Sequence, residues 1–311
     1  MVSTKAKGYF LGAVAAISYG LNPLFALPLY ADGMTADSVL FWRYLVAIPL
    51  MALMIKMRGR SFKVSWKQMG ILVVLGLIVA LSSLMLFMSY NYMDVGIAST
   101  MLFVYPIMVA LIMALFFKER VSKPTIVSII MATGGIGLLF QPSGGAEAGL
   151  SVVGSIMVMI SALSYAIYIV AVNKSSLCNV ATLTVTFYVL SFGLLLFAGR
   201  LINIGHIEMP SADNLYLWGC VAGLAIFPTA ISFACTTGAI QYIGSTPTAI
   251  LGALEPVTGV VVGVAVFGEQ LTASSFSGLL LILVAVIMVI AGPKLSVVLT
   301  HVHKMFPRLH R

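Results

Sequence analysis

Long apolar segments separated by short loops dominate this chain and restrict what it can fold into. A transmembrane α-helix needs about 20 mostly apolar residues to cross the roughly 30 Å hydrocarbon core of a membrane. Ten segments meet this requirement, and we number them spans 1 to 10. They cover residues 9–30, 38–55, 69–91, 95–117, 124–140, 150–172, 180–200, 214–240, 245–267 and 273–291. Because only 8% of the residues are charged, against about 25% in soluble domains, we predict an all-α integral membrane protein with ten transmembrane helices.

The basic residues predict how the chain is oriented. If the loops alternate between two sides, fifteen of the seventeen Lys and Arg residues fall on one side, Arg200 falls on the other, and Arg43 lies inside span 2. Short cytoplasmic loops collect basic residues. We therefore predict a multi-pass protein of the cell inner (plasma) membrane with cytoplasmic N- and C-termini. The net charge of +8 then reflects topology and contact with anionic lipids, and it predicts no nucleic-acid partner.

A pattern of residues occurs twice, about 150 residues apart. The stretch 96–119 begins with glycine, contains Pro106 and ends with a glutamate thirteen positions after that proline. The stretch 244–269 has the same order, with Pro256 thirteen positions before its final glutamate. This repeat indicates that span 4 corresponds to span 9.

A second pair of segments gives the same relation. Ser18-Tyr19-Gly20 follows Gly8 by ten positions, and Ser164-Tyr165-Ala166 follows Gly154 by ten positions. Span 1 therefore corresponds to span 6, which makes each unit five helices long. Because five crossings turn the second unit upside down, we predict two inverted five-helix repeats, an arrangement typical of secondary transporters.

The repeat predicts how the chain is divided. We place the N-terminal five-helix repeat at residues 1–140, the inverted C-terminal repeat at residues 150–293, and a basic cytoplasmic tail at residues 294–311. The segment 141–149 between the repeats is rich in glycine and contains a proline, which is typical of a boundary.

Several of these residues also carry a resemblance to a known family. They are Tyr19-Gly20-Leu21-Asn22, Arg43, the element from Pro106 to Glu119, Ser164-Tyr165-Ala166, Glu255-Pro256 and Gly268-Glu269. By these residues the chain resembles the EamA family of the drug/metabolite transporter superfamily, over about residues 8–291. It has Tyr19 where that family often has Trp. The resemblance implies export or exchange of small cytoplasmic metabolites through a cavity between two five-helix repeats.

Glu255 is an acidic residue inside span 9. Counting from Ser245 at about 1.5 Å per residue puts it roughly 15 Å deep, near the middle of the membrane. A charge there costs at least about 2.5 kcal/mol, so acids inside a membrane usually face a cavity or a partner. We predict that Glu255 contacts a substrate amine or couples protons to transport. The alternative is a structural role, in which it bonds backbone groups freed by Pro256.

Arg43 lies roughly 7 to 8 Å from the start of span 2. Its long side chain could reach the lipid head groups. Alternatively, its guanidinium binds a carboxylate, either in a salt bridge or on a substrate. Trp42 and Tyr44, its neighbours in the sequence, are typical of the aromatic belt at a membrane surface.

Aromatic and amide side chains recur at the same spacing in spans 1 and 6. Tyr19 and Asn22 lie three residues apart, as do Tyr165 and Tyr168, so each pair shares a helix face. Such groups stack on or hydrogen-bond a substrate, although tyrosine also favours membrane interfaces. We predict that these four residues line the substrate site together with Tyr105, the counterpart of Glu255 in span 4.

Pro106 and Pro256 occupy matched positions in spans 4 and 9. Each removes a helical hydrogen bond and permits a kink. Prolines are common in the other apolar segments of this chain, so the argument rests on the matched position. We predict that these two prolines act as hinges.

The sequence lacks the patterns of an enzyme. The four histidines lie outside the apolar segments, and the three cysteines lack the paired spacing of a metal site. No acid cluster or nucleophile motif lies beside a base. We therefore predict no catalytic residues, no metal and no cofactor.

These features predict a secondary active transporter that exports or exchanges a small metabolite, such as an amino acid or a related compound, by alternating access. We expect its cavity between spans 1 to 4 and spans 6 to 9. An uptake permease or a multidrug exporter of the same fold is the alternative. A membrane-embedded lipid enzyme and a passive channel fit less well, because a catalytic cluster and a continuous polar lining are missing. We expect a monomer whose partners are its substrate and the bilayer.

Overall fold

The computed structural model describes residues 4–89, 91–92, 98, 101–119, 122–139, 151–267, 273–274 and 276–288. Every regular element in these residues is a helix. The boundary segment 141–149, residues Gly268 and Glu269, and the tail 294–311 lie outside the described residues. The predictions made for those parts of the chain therefore stay predictions.

The helices fall where the sequence predicts the spans. In chain order they are α1 (Thr4–Gly20), α2 (Asn22–Ala31), α3 (Ala36–Met57), α4 (Trp66–Ser89), α5 (Tyr105–Phe117), α6 (Lys123–Leu139), α7 (Val152–Lys174), a 3-10 turn (Ser176–Asn179), α8 (Thr182–Ile204), α9 (Leu215–Leu224), a π-helix (Ala225–Ile231), α10 (Ser232–Ile243), α11 (Ser245–Leu251), α12 (Leu254–Phe267) and α13 (Phe276–Met288). Span 1 consists of α1 and α2. Span 8 consists of α9, the π-helix and α10, and span 9 consists of α11 and α12.

Seven helical stretches of the described residues are long and apolar enough to cross a membrane. They coincide with spans 1, 2, 3, 6, 7, 8 and 9. Three shorter apolar helices, α5, α6 and α13, fall at the predicted positions of spans 4, 5 and 10. The chain is therefore all-α with seven helices of membrane length, and the count of ten crossings stays a prediction.

Spans 4 and 9 are interrupted at corresponding places. Residues 103–104 form a turn before α5, and residues 252–253 form a turn between α11 and α12. Pro106 and Pro256 lie in the first turn of the helices that follow. Proline is tolerated there, because the first N–H groups of a helix have no partner within the helix. The role of the prolines as hinges stays a prediction.

The helices of the first half pack on those of the second half in related pairs. Span 1 packs on span 8, and span 3 packs on span 6. Span 1 also contacts span 9, and span 4 contacts span 6. Span 2 packs on span 7, and span 4 packs on span 9. Exchanging the numbers of spans 1–5 with those of spans 6–10 leaves this set of contacts unchanged.

Two glycines set close contacts between the halves. A Cβ atom on Gly20 would lie 2.5 Å from the carbonyl oxygen of Glu255. A Cβ atom on Gly76 would lie 2.8 Å from the carbonyl oxygen of Val189. Small residues let helix backbones approach closely in this way. Gly20 therefore allows span 1 to contact the backbone that carries Glu255.

Candidate functional site

A small cavity lies between the two halves. Its volume is about 20 Å³, which is room for about one water molecule. Spans 1, 3 and 4 line it from one half, and the corresponding spans 6, 8 and 9 line it from the other. The lining residues are Tyr19, Val79, Ser82, Ser83, Leu86, Leu102, Tyr105, Ser161, Tyr165, Phe233 and Glu255.

Four of the seven predicted site residues meet at this cavity. Tyr19, Tyr105, Tyr165 and Glu255 all line it. The rings of Tyr105 and Tyr165 pack edge to face, with their centroids 5.0 Å apart. Within the part of the chain that the structure describes, no group donates a hydrogen bond to the Glu255 side chain. Its carboxyl group therefore remains available to a molecule in the cavity.

The Tyr105 hydroxyl joins the two interrupted spans. It donates a hydrogen bond to the Ala249 carbonyl oxygen at 3.0 Å. Gly252, at the interruption of span 9, lies so near this hydroxyl that a Cβ atom on Gly252 would overlap it. Tyr105 therefore connects α5 of the first half to α11 of the second half, beside the turn that precedes Glu255.

Glu255 is the second residue of α12. Its backbone N–H donates a hydrogen bond to the Gly252 carbonyl oxygen at 2.9 Å, which closes the turn at residues 252–253. An interruption of this kind leaves backbone groups without helical partners inside a membrane span, and it is tolerated where it lines a cavity. The local backbone thus places the Glu255 side chain at an opening between helices.

Arg43 is buried inside the protein. Its side chain is 1% exposed, and its Nε donates a hydrogen bond to Thr229 Oγ1 at 2.5 Å. Nη2 donates to the Pro228 carbonyl oxygen at 3.0 Å, and Nη1 donates to Asn22 Oδ1 at 3.3 Å. The guanidinium also lies 5.6 Å from the centre of the Tyr19 ring. The expectation that Arg43 reaches the lipid head groups is wrong, because the π-helix of span 8 supplies acceptors inside the protein.

The charge of Arg43 has no ionic partner among the described residues. Burying a charge is unfavourable unless it is paired and hydrogen-bonded, and here only neutral oxygen atoms accept its hydrogen bonds. The guanidinium of Arg43 lies beside the Tyr19 ring, and Tyr19 and Glu255 line the same cavity. A guanidinium and a carboxyl group therefore lie near the same tyrosine at the cavity wall.

Asn22 and Tyr168, the remaining predicted site residues, lie behind the cavity wall. Asn22 accepts the hydrogen bond from Arg43. The Tyr168 hydroxyl lies 3.1 Å from Thr237 Oγ1, and its ring stacks on Tyr165 with centroids 6.1 Å apart. Both residues hold groups near the cavity, and their role as substrate contacts stays a prediction.

Three serines that the sequence analysis did not single out also line the cavity. Ser82 Oγ donates to the Ser161 carbonyl oxygen at 2.9 Å, and Ser161 Oγ donates to the Ser82 carbonyl oxygen at 2.7 Å. The Ser83 hydroxyl lies 3.4 Å from that of Tyr44. Because Tyr44 is fully buried, its assignment to the aromatic belt is wrong. Polar residues in the middle of apolar spans were the available signal.

The described residues contain no group of three His, Cys, Asp or Glu side chains that could hold a metal ion. Cys178, Cys220 and Cys235 are free thiols. The polar groups at the cavity are therefore hydroxyl groups and one carboxyl group, with one guanidinium behind them.

Comparison with known proteins identifies the family. The profile of the EamA-like transporter family matches residues 6–141 and residues 152–291, which together make up most of the chain. The chain belongs to the EamA-like transporter family. Membership in a transporter family, together with seven helices of membrane length, makes it a multi-pass membrane protein. The family predicted from the sequence is thereby confirmed.

Three relatives of this chain are each described as an uncharacterized transporter. One from Archaeoglobus fulgidus is 27% identical over 194 residues, which cover 62% of this chain and 66% of the relative. A second from the same organism is 25% identical over 249 residues, or 80% and 86% of the two chains. One from Clostridium kluyveri is 22% identical over 287 residues, or 89% and 91%. The relatives share a transporter description and carry no substrate in their names.

A protein of known crystal structure has the same fold. The TM-score is 0.75, the sequence identity is 17%, and the alignment covers 91% of this chain and 96% of the other. Since a fold hosts many functions, a likeness at this identity shows the architecture alone. The arrangement of helices in this EamA-like chain is therefore one that occurs over the full length of a solved protein.

Proposed function

We propose that this chain is a secondary active transporter that exports or exchanges a small metabolite, such as an amino acid or a related compound, by alternating access. The observation that carries the proposal is the position of Tyr105 and Glu255. They occupy corresponding places in the two halves, directly after the interruptions of spans 4 and 9, and both line one cavity. Interrupted helices at the interface of inverted repeats are where secondary transporters bind substrates and coupling ions.

Equivalent contacts between the two halves support the inverted repeat. Ser82 of span 3 donates a hydrogen bond to the carbonyl oxygen of Ser161 in span 6, at 2.9 Å. Ser232 of span 8 donates a hydrogen bond to the carbonyl oxygen of Ala15 in span 1, also at 2.9 Å. Ala15 and Ser161 are 146 residues apart. The two family matches, which begin at residues 6 and 152, have the same offset.

The orientation follows from the same repeat. We propose ten crossings of the plasma membrane, with the basic loops and both termini in the cytoplasm. The alternation of the basic residues along the chain supports this arrangement. Export, as opposed to uptake, rests on the resemblance to the EamA family alone.

The size of the cavity supports movement of the halves. Ligand sites usually have volumes of about 300 Å³ or more, whereas this cavity has about 20 Å³. A metabolite therefore enters only if the spans separate. The turns at residues 103–104 and 252–253 are places where spans 4 and 9 can change direction at little loss of helical hydrogen bonding. Rocking of the halves about these turns opens the cavity to one side at a time.

Glu255 is the group to which we assign substrate contact or proton coupling. Its carboxyl group lies among hydroxyl groups and aromatic rings, and it is free of hydrogen-bond donors in the described part of the chain. An ionisable group inside a membrane is a functional site by default. The guanidinium of Arg43, near the same tyrosine, makes a molecule with both an ammonium and a carboxylate group the best match in charge.

A ligand series on the purified protein tests this assignment. Each L-amino acid of a panel is compared with the amine and the carboxylic acid of the same carbon skeleton, each of which lacks one of the two charges. We expect at least one amino acid to raise the melting temperature, and both of its matched compounds to raise it less. Glu255→Gln should abolish the shift caused by the amino acid. A full shift in Glu255→Gln would contradict the assignment of Glu255.

A further inference from the structure

The loop between α3 and α4 packs on the first turns of α8. Thr184 Oγ1 donates a hydrogen bond to the Ser61 carbonyl oxygen at 3.0 Å. The Tyr188 hydroxyl donates to the Phe62 carbonyl oxygen at 2.9 Å. The Phe62 ring packs edge to face on Phe187, with centroids 5.3 Å apart. We call this set of contacts the Phe62 latch.

The loop between α8 and α9 packs on the first turns of α3 in the same way. Trp42 Nε1 donates a hydrogen bond to the Glu208 carbonyl oxygen at 3.0 Å. The Glu208 N–H donates to Ser38 Oγ at 3.1 Å, and the Glu208 carboxylate accepts from the Thr35 N–H at the start of α3. We call this set of contacts the Glu208 latch.

The two latches use residues that correspond in the repeat. In both, a side chain in the second turn of the receiving helix donates a hydrogen bond to a loop carbonyl, and a hydroxyl four residues earlier bonds to the loop backbone. The corresponding residues are Ser38 with Thr184, Trp42 with Tyr188, and Phe62 with Glu208. Each pair is separated by the 146 residues that also separate spans 1 and 6. Related contacts therefore form at corresponding positions of the two repeats.

The latches lie at opposite ends of the same helices. Helix α3 has 22 residues and is therefore about 33 Å long. The Glu208 latch holds its first turns, and the Phe62 latch is formed by the loop that follows its last turn. The cavity lies between these two ends, because Ser83 on its wall contacts the hydroxyl of Tyr44 in the third turn of α3. The Glu208 latch therefore holds the two halves together on one side of the cavity, and the Phe62 latch holds them together on the opposite side.

We propose that the two latches are the gates of the transporter, and that transport requires them to open in turn. Each latch ties a loop of one half to a helix of the other half, so that the halves cannot separate at that end while it is formed. Both latches are formed in this structure, and the cavity between them has room for about one water molecule. This inference rests on the proposed alternating access and adds the residues that control it.

The Glu208 latch has the larger number of supporting contacts. Arg200, near the end of α8, forms a two-pronged ion pair with Asp37 at 2.6 and 3.1 Å. Trp42 also packs edge to face on Trp218, with centroids 5.7 Å apart. None of the ion pairs found among the described residues belongs to the Phe62 latch. Bidentate arginine–carboxylate contacts are strong hydrogen bonds. Because only the Glu208 latch is supported by such a contact among the described residues, the Phe62 latch opens more readily.

Thiol labelling of the cavity tests the gates. The three native cysteines are replaced by serine, and Ser83→Cys places one thiol on the cavity wall. A membrane-impermeant maleimide is then applied to each face of oriented vesicles. Tyr188→Phe removes the donor of the Phe62 latch, and Trp42→Phe removes the corresponding donor of the Glu208 latch. Tyr242→Phe is the matched control, because it deletes a tyrosine hydroxyl that belongs to neither latch.

We expect the two variants to act in opposite directions. Tyr188→Phe should raise the labelling rate from the face of the Phe62 latch roughly two- to tenfold relative to the opposite face, the factor that one hydrogen bond contributes. Trp42→Phe should shift this ratio the other way, and the double variant should return it close to the starting value. Tyr242→Phe should leave it unchanged. Thr184→Val and Ser38→Ala repeat the pair of tests with smaller deletions.

Labelling that changes equally from both faces, or that changes in the same direction in both variants, would overturn the gates. The outcome is separate from that of the proposed function. If labelling shifts in opposite directions and no compound is exchanged across the membrane, the two latches do control access to the cavity, and the proposal of transport is contradicted. If compounds are exchanged and all four latch variants label like the starting protein, the transport proposal stands and the gates fail.

Discussion

Glu255 lines the cavity, and Arg43 is a buried cation beside Tyr19 on its wall. Counting residues from the start of each span predicts a depth in the membrane for both residues from the helix rise, and these depths stay predictions. The direction of the Arg43 side chain was not predictable, since its acceptors Thr229 and Pro228 belong to a π-helix that no local pattern indicated. The residues paired by the repeat, Tyr19 and Tyr165, were found from spacing alone because equivalent positions face the same interface.

Replacing Arg43 by lysine should show how much the hydrogen bonds of Arg43 contribute to stability apart from its charge. A lysine ammonium group keeps the positive charge but lacks the planar fork that reaches Thr229, Pro228 and Asn22 together. We expect Arg43→Lys to lower the stability by about 1 to 3 kcal/mol, since buried acceptors lose their donors. Thermal unfolding in detergent measures this, with the exposed Arg60→Lys as the control. Equal melting temperatures for both variants would contradict the account of Arg43.

Glu208 predicts a contribution to stability that depends on pH. Burial raises the pKa of this carboxyl group, but hydrogen bonds from Thr35 and His206 lower it by more, so that its pKa lies below the ordinary value. A group with a lowered pKa in the folded state stabilises the protein above its unfolded pKa of about 4.3, and this contribution is lost as the pH falls through the folded pKa.

The measurement is the difference in melting temperature between the starting protein and Glu208→Gln as a function of pH. We expect a constant advantage of the starting protein above about pH 5, which shrinks as the pH falls below about 4. Other acids titrate in both proteins, so the difference isolates Glu208. An advantage that stays the same down to pH 3 would show that the carboxylate charge does not contribute.

Among the helices, the interruptions of spans 4 and 9 lie next to residues that line the cavity. Their approximate position was predictable, because the matched prolines Pro106 and Pro256 lie two or three residues after the turns. The contact between Tyr105 and Ala249 was not predictable, since it depends on how α5 crosses α11. The serines of spans 3 and 6 stand out as polar residues in apolar helices, but a single serine does not show which way its side chain faces.

The close contact between Gly252 and Tyr105 predicts coupled effects. Gly252→Ala places a methyl group against the Tyr105 hydroxyl, and we expect a loss of about 1 to 3 kcal/mol from this overpacking. Tyr105→Phe removes the hydroxyl and should lose about 1 kcal/mol through its hydrogen bond. The double variant should be more stable than the sum of the two losses predicts, because the closest atom to the methyl group is then absent. Additive losses would show that the two residues do not touch.

Two glycines on the same helix should respond to alanine with opposite signs. A Cβ atom on Gly76 of α4 would meet the backbone of α8, whereas a Cβ atom on Gly70 meets nothing within 4 Å. We expect Gly70→Ala to raise the stability by up to about 1 kcal/mol through helix propensity. Gly76→Ala should lower it by about 1 to 3 kcal/mol. Unfolding in detergent measures both, and a gain in Gly76→Ala would contradict the packing of α4 on α8.

For the molecule as a whole, the apolar segments were enough to predict where the helices lie, because a chain that crosses a membrane as helices needs long apolar segments. The number of crossings was harder to predict, since α5, α6 and α13 are shorter than the seven helices of membrane length. The packing of loops onto α3 and α8 could not be predicted, because it depends on contacts between residues more than 100 positions apart. The family profile, which matches both halves, joins these features into one fold.

We propose that one cavity, bounded by two related halves, takes a molecule from one side of the membrane and releases it on the other. Counterflow tests it most directly. Vesicles that contain the reconstituted protein are filled with the unlabelled amino acid that gives the largest thermal shift, and a trace of the labelled compound is added outside. We expect a transient accumulation of label above its equilibrium level, and we expect none in Glu255→Gln. Entry of label that only approaches equilibrium, equally in filled and unfilled vesicles, would contradict it.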